Sequence, residues 1–157
     1  MRTHQDALTA LLTEEQGKPI AESFGELDYT IERVQWYAEE AKRTFGQVIP
    51  QASTSLQSVT LMQPVGVVAA VTPWNFPIGM AAMKLAPAIA AGCTVVLKPA
   101  ETTPLTALAM VSLLTEAGLP AGVVNVVTTN QASSVGSALM DSPIVKKLTF
   151  TGSTATG

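Results

Sequence analysis

Cysteine, histidine and charge are all scarce in this sequence. Its 157 residues include one cysteine and one histidine, which excludes a disulfide framework and a His/Cys metal site within the chain. Charged residues make up 13% of the chain and the net charge is −3, so no basic patch exists to neutralise nucleic-acid phosphates. Lys84 and Lys98 interrupt the apolar region before it reaches membrane-spanning length. Hydrophobic residues, at 47%, are sufficient for one sizeable core and exclude a disordered tail.

The charge that is present is concentrated near the N-terminus. Residues 1–43 contain 9 of the 12 acidic and 5 of the 9 basic residues, and the other 114 residues contain seven charges. A solvated domain surface normally has about a quarter charged residues. We therefore expect the second part to bury most of its surface or to be covered by other protein. The first residues are too polar for a signal peptide, which favours a cytoplasmic location.

Residues 1–50 have helical periodicity and form a predicted N-terminal helical part. A helix over 5–16 ends at Gly17, and Pro19 opens the next one. Apolar residues then recur every three or four positions, which predicts a solvated amphipathic helix that ends at Gly46. These apolar residues are Ile20, Phe24, Leu27, Ile31, Val34, Ala38, Ala41 and Phe45. Residues 51–64 read as a polar linker, Gln51–Ser55, and a half-exposed strand, Leu56–Met62.

Residues 65–157 alternate buried strands with helices. The sequence predicts strands at 65–71, 94–97, 123–127 and 148–151, and helices at 78–91, 104–116 and 133–140. This order predicts an α/β fold, a Rossmann-like parallel sheet preceded by the amphipathic helices. Ligands of such sheets bind at the carboxyl ends of the strands. The candidate site residues are therefore those that directly follow each strand.

The first of these segments, Thr72–Pro77, has the sequence Thr-Pro-Trp-Asn-Phe-Pro. Two prolines fix its backbone, and Asn75 offers a neutral NH₂ donor of the kind that an oxyanion hole requires. The alternative is a strand-to-helix turn in which Asn75 caps the following helix. The residues alone leave both interpretations open.

Two further segments also allow two interpretations each. Lys98 and Glu101 can hold ribose hydroxyls at a strand end, or form a surface ion pair. The glycines of Gly152–Gly157 can let the backbone approach a pyrophosphate, or open a phosphate loop of a P-loop nucleotidase. Cys93 lies at the amino end of a strand with no histidine to activate it, which predicts a buried structural thiol. His4 is expected to be exposed.

Several of these segments together resemble the aldehyde dehydrogenase superfamily, and most of all its succinate-semialdehyde dehydrogenase-like members. They are Thr72–Pro77, Ala91–Glu101, Gly122–Val127 and Phe150–Thr154, extended by Glu14–Pro19 and Trp36–Arg43. The resemblance implies the family's cofactor domain, in an incomplete form, over residues 65–157. It also implies NAD(P)-dependent oxidation of a small-molecule aldehyde to a carboxylic acid through a cysteine thiohemiacetal and thioester, in a homo-oligomer.

The resemblance assigns roles to individual residues. Asn75 would donate to the oxyanion, and Lys98 and Glu101 would hold the adenosine ribose. Glu101 would also repel a 2′-phosphate, which favours NAD over NADP. Trp74 would lie in the cofactor groove, and Gly152 and Ser153 at the pyrophosphate. The full set of implied cofactor-binding residues is Thr72, Pro73, Trp74, Asn75, Lys98, Ala100, Glu101, Gly152 and Ser153, and no metal is implied.

The chain departs from the family pattern in three ways. The family's catalytic cysteine and general-base glutamate follow the Phe-Thr-Gly-Ser segment, so neither lies in these residues. The family's amino-terminal arm is also missing, and we expect an internal fragment that is inactive in isolation. Met83 precedes Lys84 where the succinate-semialdehyde dehydrogenases place an arginine that binds the substrate carboxylate. A thioether cannot pair with a carboxylate, so a neutral aliphatic aldehyde is an equally suitable substrate.

Three hypotheses for the function follow from this resemblance. The chain is part of a working dehydrogenase, a dinucleotide-binding module without catalysis, or a non-functional remnant. A fragment of a P-loop nucleotidase is a fourth interpretation, and it depends on Gly152–Gly157 alone.

Overall fold

The computed structural model describes residues 1–53 and 55–156, and its first helix has the bounds that the sequence predicts. Helix α1 spans Gln5–Gln16. It ends at Gly17, whose φ of 86° is a left-handed conformation that glycine adopts at no steric cost. Helix α2 spans Ile20–Glu40 and continues as a 3₁₀ turn over Ala41–Arg43. The predicted continuation to Gly46 is therefore too long, because the last turn tightens before it ends.

The buried face of α2 differs from the predicted apolar stripe. Ile20 and Phe24 are 56% and 48% exposed, so the stripe is wrong over the first turns of the helix. The buried residues of α2 are Ser23, Glu26, Leu27, Thr30 and Ile31. Three of these five are polar, and they are buried because they have partners: the Thr30 hydroxyl, for example, donates to the Glu26 carbonyl at 2.7 Å.

A short antiparallel hairpin follows the helices. Strand β1 spans Gln47–Ile49 and pairs with β2, Ser58–Thr60. The predicted strand at Leu56–Met62 is confirmed at its centre. The sequence did not predict β1, because three residues followed by Pro50 are too short to display alternation. Part of the predicted linker, Thr54, lies outside the described residues, and the predicted domain boundaries remain predictions.

The rest of the described chain alternates strands and helices. In order, these are β3 Val67–Val71, α3 Pro77–Ala90, β4 Thr94–Lys98, α4 Leu105–Glu116, β5 Val124–Val126, α5 Ala132–Asp141 and β6 Val145–Phe150. The four strands form a parallel sheet in the order β5-β4-β3-β6, which confirms the predicted α/β fold. The predicted start of β6 is three residues late because two exposed lysines, Lys146 and Lys147, open the strand. Lysine is common on strands at the end of a sheet.

The core lies where α1, α2, α3 and α4 pack with β3 and β4. Its largest fully buried apolar side chains are Leu12, Leu27, Ile78, Leu85, Leu97 and Val95. Cys93 is 4% exposed and belongs to this core, as predicted. Helix α5, in contrast, buries no residue. No helix within residues 1–53 and 55–156 has both the length and the apolar character needed to cross a membrane.

Glu15, near the end of α1, links that helix to the start of α4. Its carboxylate accepts a hydrogen bond from the Thr106 backbone N–H at 3.0 Å, and others from the Thr106 hydroxyl and the Leu105 N–H. Pro104, the N-cap residue of α4, provides no side-chain cap. Glu15 therefore satisfies the first N–H groups of α4 from 90 residues away in the chain.

We expect Glu15→Ala to lower the free energy of unfolding by about 1–2 kcal/mol, because it leaves the start of α4 without a cap. Urea unfolding of the 157-residue chain measures this change. Glu14→Ala is the matched control, because Glu14 is the exposed neighbour on the same helix. Equal effects of the two substitutions would contradict the capping role.

Candidate functional site

The ends of three parallel strands meet at one edge of the sheet. Val71 pairs in register with Lys98 on one side and with Phe150 on the other. Beyond the strands, the Thr72 N–H donates to the Lys98 carbonyl at 3.2 Å, and the Thr151 N–H donates to the Val71 carbonyl at 3.1 Å. The order of the sheet reverses at β3, since β4 and β6 flank it. Crevices at such reversals are where open α/β sheets bind ligands.

The segment Thr72–Pro77, which we call the Asn75 loop, connects β3 to α3 at this edge. Helix α3 has Phe76 as its N-cap residue and no side-chain cap, so the alternative that Asn75 caps the helix is wrong. The Gly79 N–H instead donates to Glu26 Oε1 at 3.0 Å. Asn75 is exposed. Its only hydrogen bond with another described residue is the one that its backbone carbonyl accepts from Lys18. Its side-chain amide is thus available to a ligand.

The aromatic residues of the Asn75 loop are also accessible. Trp74 is 58% exposed and Phe76 is 47% exposed. Thr72, in contrast, is buried, and its hydroxyl has no hydrogen-bond partner in the part of the chain that the structure describes. The loop therefore presents aromatic surface and an amide beside the end of β3.

Lys98 and Glu101 form a hydrogen-bonded ion pair at the end of β4. The Lys98 side chain is 6% exposed and that of Glu101 38%, so the interpretation as a surface pair fits only the carboxylate. The ammonium group of Lys98 holds the pKa of Glu101 below its ordinary value. Pro104, Thr128, Thr129 and Asn130 line a shallow depression beside Glu101. An ammonium and an accessible carboxylate beside a depression can bind a sugar diol.

The segment after β6 is compact. A Cβ on Gly152 would lie 2.4 Å from Cζ of the Phe150 ring, so any side chain here would displace that ring. The Ser153 and Thr156 hydroxyls are hydrogen-bonded at 2.8 Å. The Phe150 ring therefore occupies the space that a side chain at position 152 would take. The predicted segment Gly152–Gly157 ends at Gly157, which lies outside the described residues.

Three charged residues near this edge were not predicted as site residues. Lys84 on α3 donates to the Thr151 hydroxyl at 2.8 Å, and burial lowers the pKa of its ammonium group. Lys18 donates to the Asn75 carbonyl at 2.9 Å and pairs with Glu26 at 2.6 Å. Lys84 could have been found, since it is the only charged residue between Arg43 and Lys98. Lys18 and Glu26 lie in a charge-rich region that gave no such signal.

A sequence model of the aldehyde dehydrogenase family matches residues 1–157 of this chain. The NADP(+) succinate-semialdehyde dehydrogenase of Escherichia coli is 52% identical to it over 157 residues. The 3-sulfolactaldehyde dehydrogenase of Pseudomonas putida is 54% identical over the same length. Both matches cover 100% of this chain and 32% of the relative. The chain thus spans about a third of the length of these curated relatives.

A solved structure with the same fold is a double mutant of betaine aldehyde dehydrogenase from Staphylococcus aureus in complex with NAD+. Its TM-score is 0.95 at 36% sequence identity. The match covers 99% of this chain and 31% of that one. The likeness extends over the hairpin, the helices and the parallel sheet together.

The Lys98–Glu101 pair makes stability depend on pH in a defined direction. A carboxylate whose pKa is lowered by folding stabilises the fold at pH values above its unfolded-state pKa. This stabilisation is lost as pH falls through the folded-state pKa. We expect Glu101→Gln to lower the free energy of unfolding at neutral pH, by at most about 1 kcal/mol because the carboxylate is partly exposed. The difference in free energy of unfolding between parent and variant should narrow as pH falls below 4.5, the ordinary pKa of a glutamate side chain.

Urea unfolding at a series of pH values measures this difference. The control is Glu116→Gln, an exposed carboxylate at the end of α4 that has no ion-pair partner among the described residues. If the free energies of unfolding of the parent and of Glu101→Gln differ by the same amount at every pH, the ion pair does not stabilise the fold.

Proposed function

Since the chain belongs to the aldehyde dehydrogenase family, we propose that it supplies the cofactor-binding part and the oxyanion donor of an NAD(P)-dependent enzyme that oxidises an aldehyde to a carboxylic acid. The observation that supports this most directly is the meeting of three segments at one sheet edge. These are the Asn75 loop, the Lys98–Glu101 pair and the turn at Gly152 and Ser153. The family match over the whole chain leaves no basis for the P-loop nucleotidase interpretation.

The residues at this edge fit a dinucleotide. The Lys98 ammonium and the Glu101 carboxylate offer a donor and an acceptor for the two hydroxyls of a ribose. Gly152 and Ser153, opposite them across β3, would offer backbone N–H groups to a pyrophosphate. Trp74 would line the groove between these groups. When bound, the nicotinamide cofactor supplies the hydride acceptor for the oxidation.

Asn75 is the proposed oxyanion donor. Its neutral amide is fixed through its backbone and has no competing partner within the described residues. Such a donor stabilises developing negative charge with little reorganisation. The chain's own cysteine, Cys93, is buried at the amino end of β4, the opposite end of the strand from the site. We therefore propose that these 157 residues alone bind cofactor but do not oxidise aldehydes.

The substrate and the cofactor form are proposed at the level of class. The names of the two curated relatives specify aldehydes with a carboxylate or a sulfonate. Met83, half-buried on α3, offers no charge to such a group, so a neutral aliphatic aldehyde suits this chain equally well. NAD is favoured over NADP by the Glu101 carboxylate, which would repel a 2′-phosphate.

The hairpin supports a proposal that the enzyme forms a homo-oligomer. Val48 on β1 and Leu61 just after β2 are each 75% exposed, and Val59 is 59% exposed. Adjacent apolar side chains on a two-stranded sheet are typical of a surface that pairs with another subunit.

We expect Asn75→Ala to reduce kcat about a hundredfold, equivalent to about 3 kcal/mol of lost transition-state stabilisation. The measurement uses a chimera in which residues 1–157 replace the matching third of the E. coli succinate-semialdehyde dehydrogenase. Gln35→Ala is the control, because Gln35 is an exposed amide on α2, outside the proposed site. An unchanged kcat in the Asn75 variant would exclude the oxyanion role.

A second prediction separates a cofactor-binding module from a non-functional remnant. In the 157-residue chain carrying Trp36→Phe, addition of NAD should quench the fluorescence of Trp74 saturably, because Trp74 is exposed at the proposed groove. The matched control carries Trp74→Phe and retains Trp36, which is 59% exposed on α2. A response from both chains or from neither would contradict a groove beside Trp74.

A further inference from the structure

We propose that Lys18 is a positioning residue for Asn75. Its ammonium group, held by Glu26, fixes the backbone of Asn75 and thereby directs the side-chain amide towards the reacting oxygen. This inference rests on the proposed oxyanion role of Asn75. It extends that role to two residues of the N-terminal helical part, neither of which touches the substrate.

The Lys18 ammonium group is surrounded on three sides by specific partners. It donates to Glu26 Oε2 at 2.6 Å and to the Asn75 carbonyl at 2.9 Å. It also lies 4.2 Å from the centroid of the Phe76 ring, within cation–π distance. The Lys18 side chain is 8% exposed, so water competes little for these contacts. Two of the three partners belong to the Asn75 loop.

Glu26 fixes the position of Lys18 from the helical side. Its side chain is 1% exposed, and its second carboxylate oxygen, Oε1, accepts the Gly79 N–H at 3.0 Å. The first turn of α3 favours a negative charge at this point. A Cβ on Gly79 would lie 3.4 Å from Oε1, so α2 and α3 pack closely here. One carboxylate therefore anchors both the ammonium group and the helix that follows the loop.

The Asn75 loop has few other constraints on its backbone. Pro73 and Pro77 have no N–H to donate. Thr72 and Phe76 are bonded through their backbones to Lys98 and Met80. For the three residues between Thr72 and Phe76, the bond from Lys18 to the Asn75 carbonyl is the only hydrogen bond with another described residue. Without it, the peptide between Asn75 and Phe76 can rotate, and the amide donor moves with it.

The test must remove the bond from Lys18 without leaving Glu26 as an unpaired buried charge. Lys18→Met alone would do that, and it could unfold the chain. The informative variant is the double substitution Lys18→Met and Glu26→Gln, in which the amide oxygen of the introduced glutamine still accepts the Gly79 N–H. Glu26→Gln alone is the comparison variant, because it keeps the Lys18 donor to Asn75 but removes the charge that holds it. Lys42→Met, in an exposed pair with Glu39, is the control.

Activity is measured in the chimera with the E. coli enzyme. We expect the double substitution to lower kcat about tenfold, as misplacement of a catalytic group does, and to leave the Kd of NAD within about twofold of the parent. Lys42→Met should retain the parental kcat, and Glu26→Gln should lower kcat by less than the double substitution does. When Asn75→Ala is already present, the double substitution should have no further effect on kcat, because Lys18 acts through Asn75.

The position of the loop is measured independently in the 157-residue chain. With Trp36→Phe present, the double substitution should lower the fluorescence anisotropy of Trp74, and by more than Glu26→Gln alone does. A parental kcat for the double variant would overturn the inference and leave the proposed function intact. The same follows if the double substitution lowers kcat by an equal factor in the parent and in the Asn75→Ala variant. A parental kcat for Asn75→Ala would remove the oxyanion role and the inference with it.

Discussion

One buried carboxylate, Glu26, constrains how the N-terminal helices pack against the start of α3. It lies on α2, yet both of its oxygens are bound by groups outside that helix, Lys18 and the Gly79 N–H. A carboxylate with so little exposure is stable only when its charge and its lone pairs are matched. The position of α2 against α3 is therefore set by polar geometry as well as by apolar packing, and the start of α3 in turn sets where the Asn75 loop ends.

The sheet supplies the second constraint on the site. Parallel pairing in register brings the ends of β3, β4 and β6 to one level, and the first N–H beyond β3 and β6 continues the ladder. The loops can then diverge only from fixed starting points. Lys84 adds a bond from α3 to Thr151 across this edge. The sheet edge where β3 and β6 end is thus bordered by elements whose relative positions are fixed on both sides.

Much of the fold could be predicted from local sequence patterns. The buried strands are runs of β-branched residues, and α1 ends at a glycine that takes a positive φ. The errors arise where the local pattern is too short or is dominated by the environment. Strand β1 has three residues, and two exposed lysines near the start of β6 interrupt its apolar pattern. The first turns of α2 look apolar at Ile20 and Phe24, but tertiary partners bury Glu26 instead.

The candidate site was predictable to the same degree and for the same reason. Each residue that follows a strand could be found because strand ends are visible in the sequence. The contacts of Lys18 could not, because Asn75 lies 57 positions away and Gly79 lies 53 positions from Glu26. No periodicity or composition records a pairing over that distance. The resemblance to the family indicates that the Asn75 loop belongs to the site, whereas the structure shows which contacts keep that loop in place.

The Asn75 loop combines exposed apolar surface with unpaired polar groups. It exposes about half of two aromatic side chains, leaves an amide without a partner among the described residues, and buries the Thr72 hydroxyl unpaired. The exposed aromatic surface and the buried, unpaired hydroxyl cost free energy, whereas the exposed amide is hydrated. Such a loop keeps one conformation only if its surroundings determine it. The strand register at one end, the Glu26 carboxylate at the start of α3 and the Lys18 ammonium group between them provide that determination.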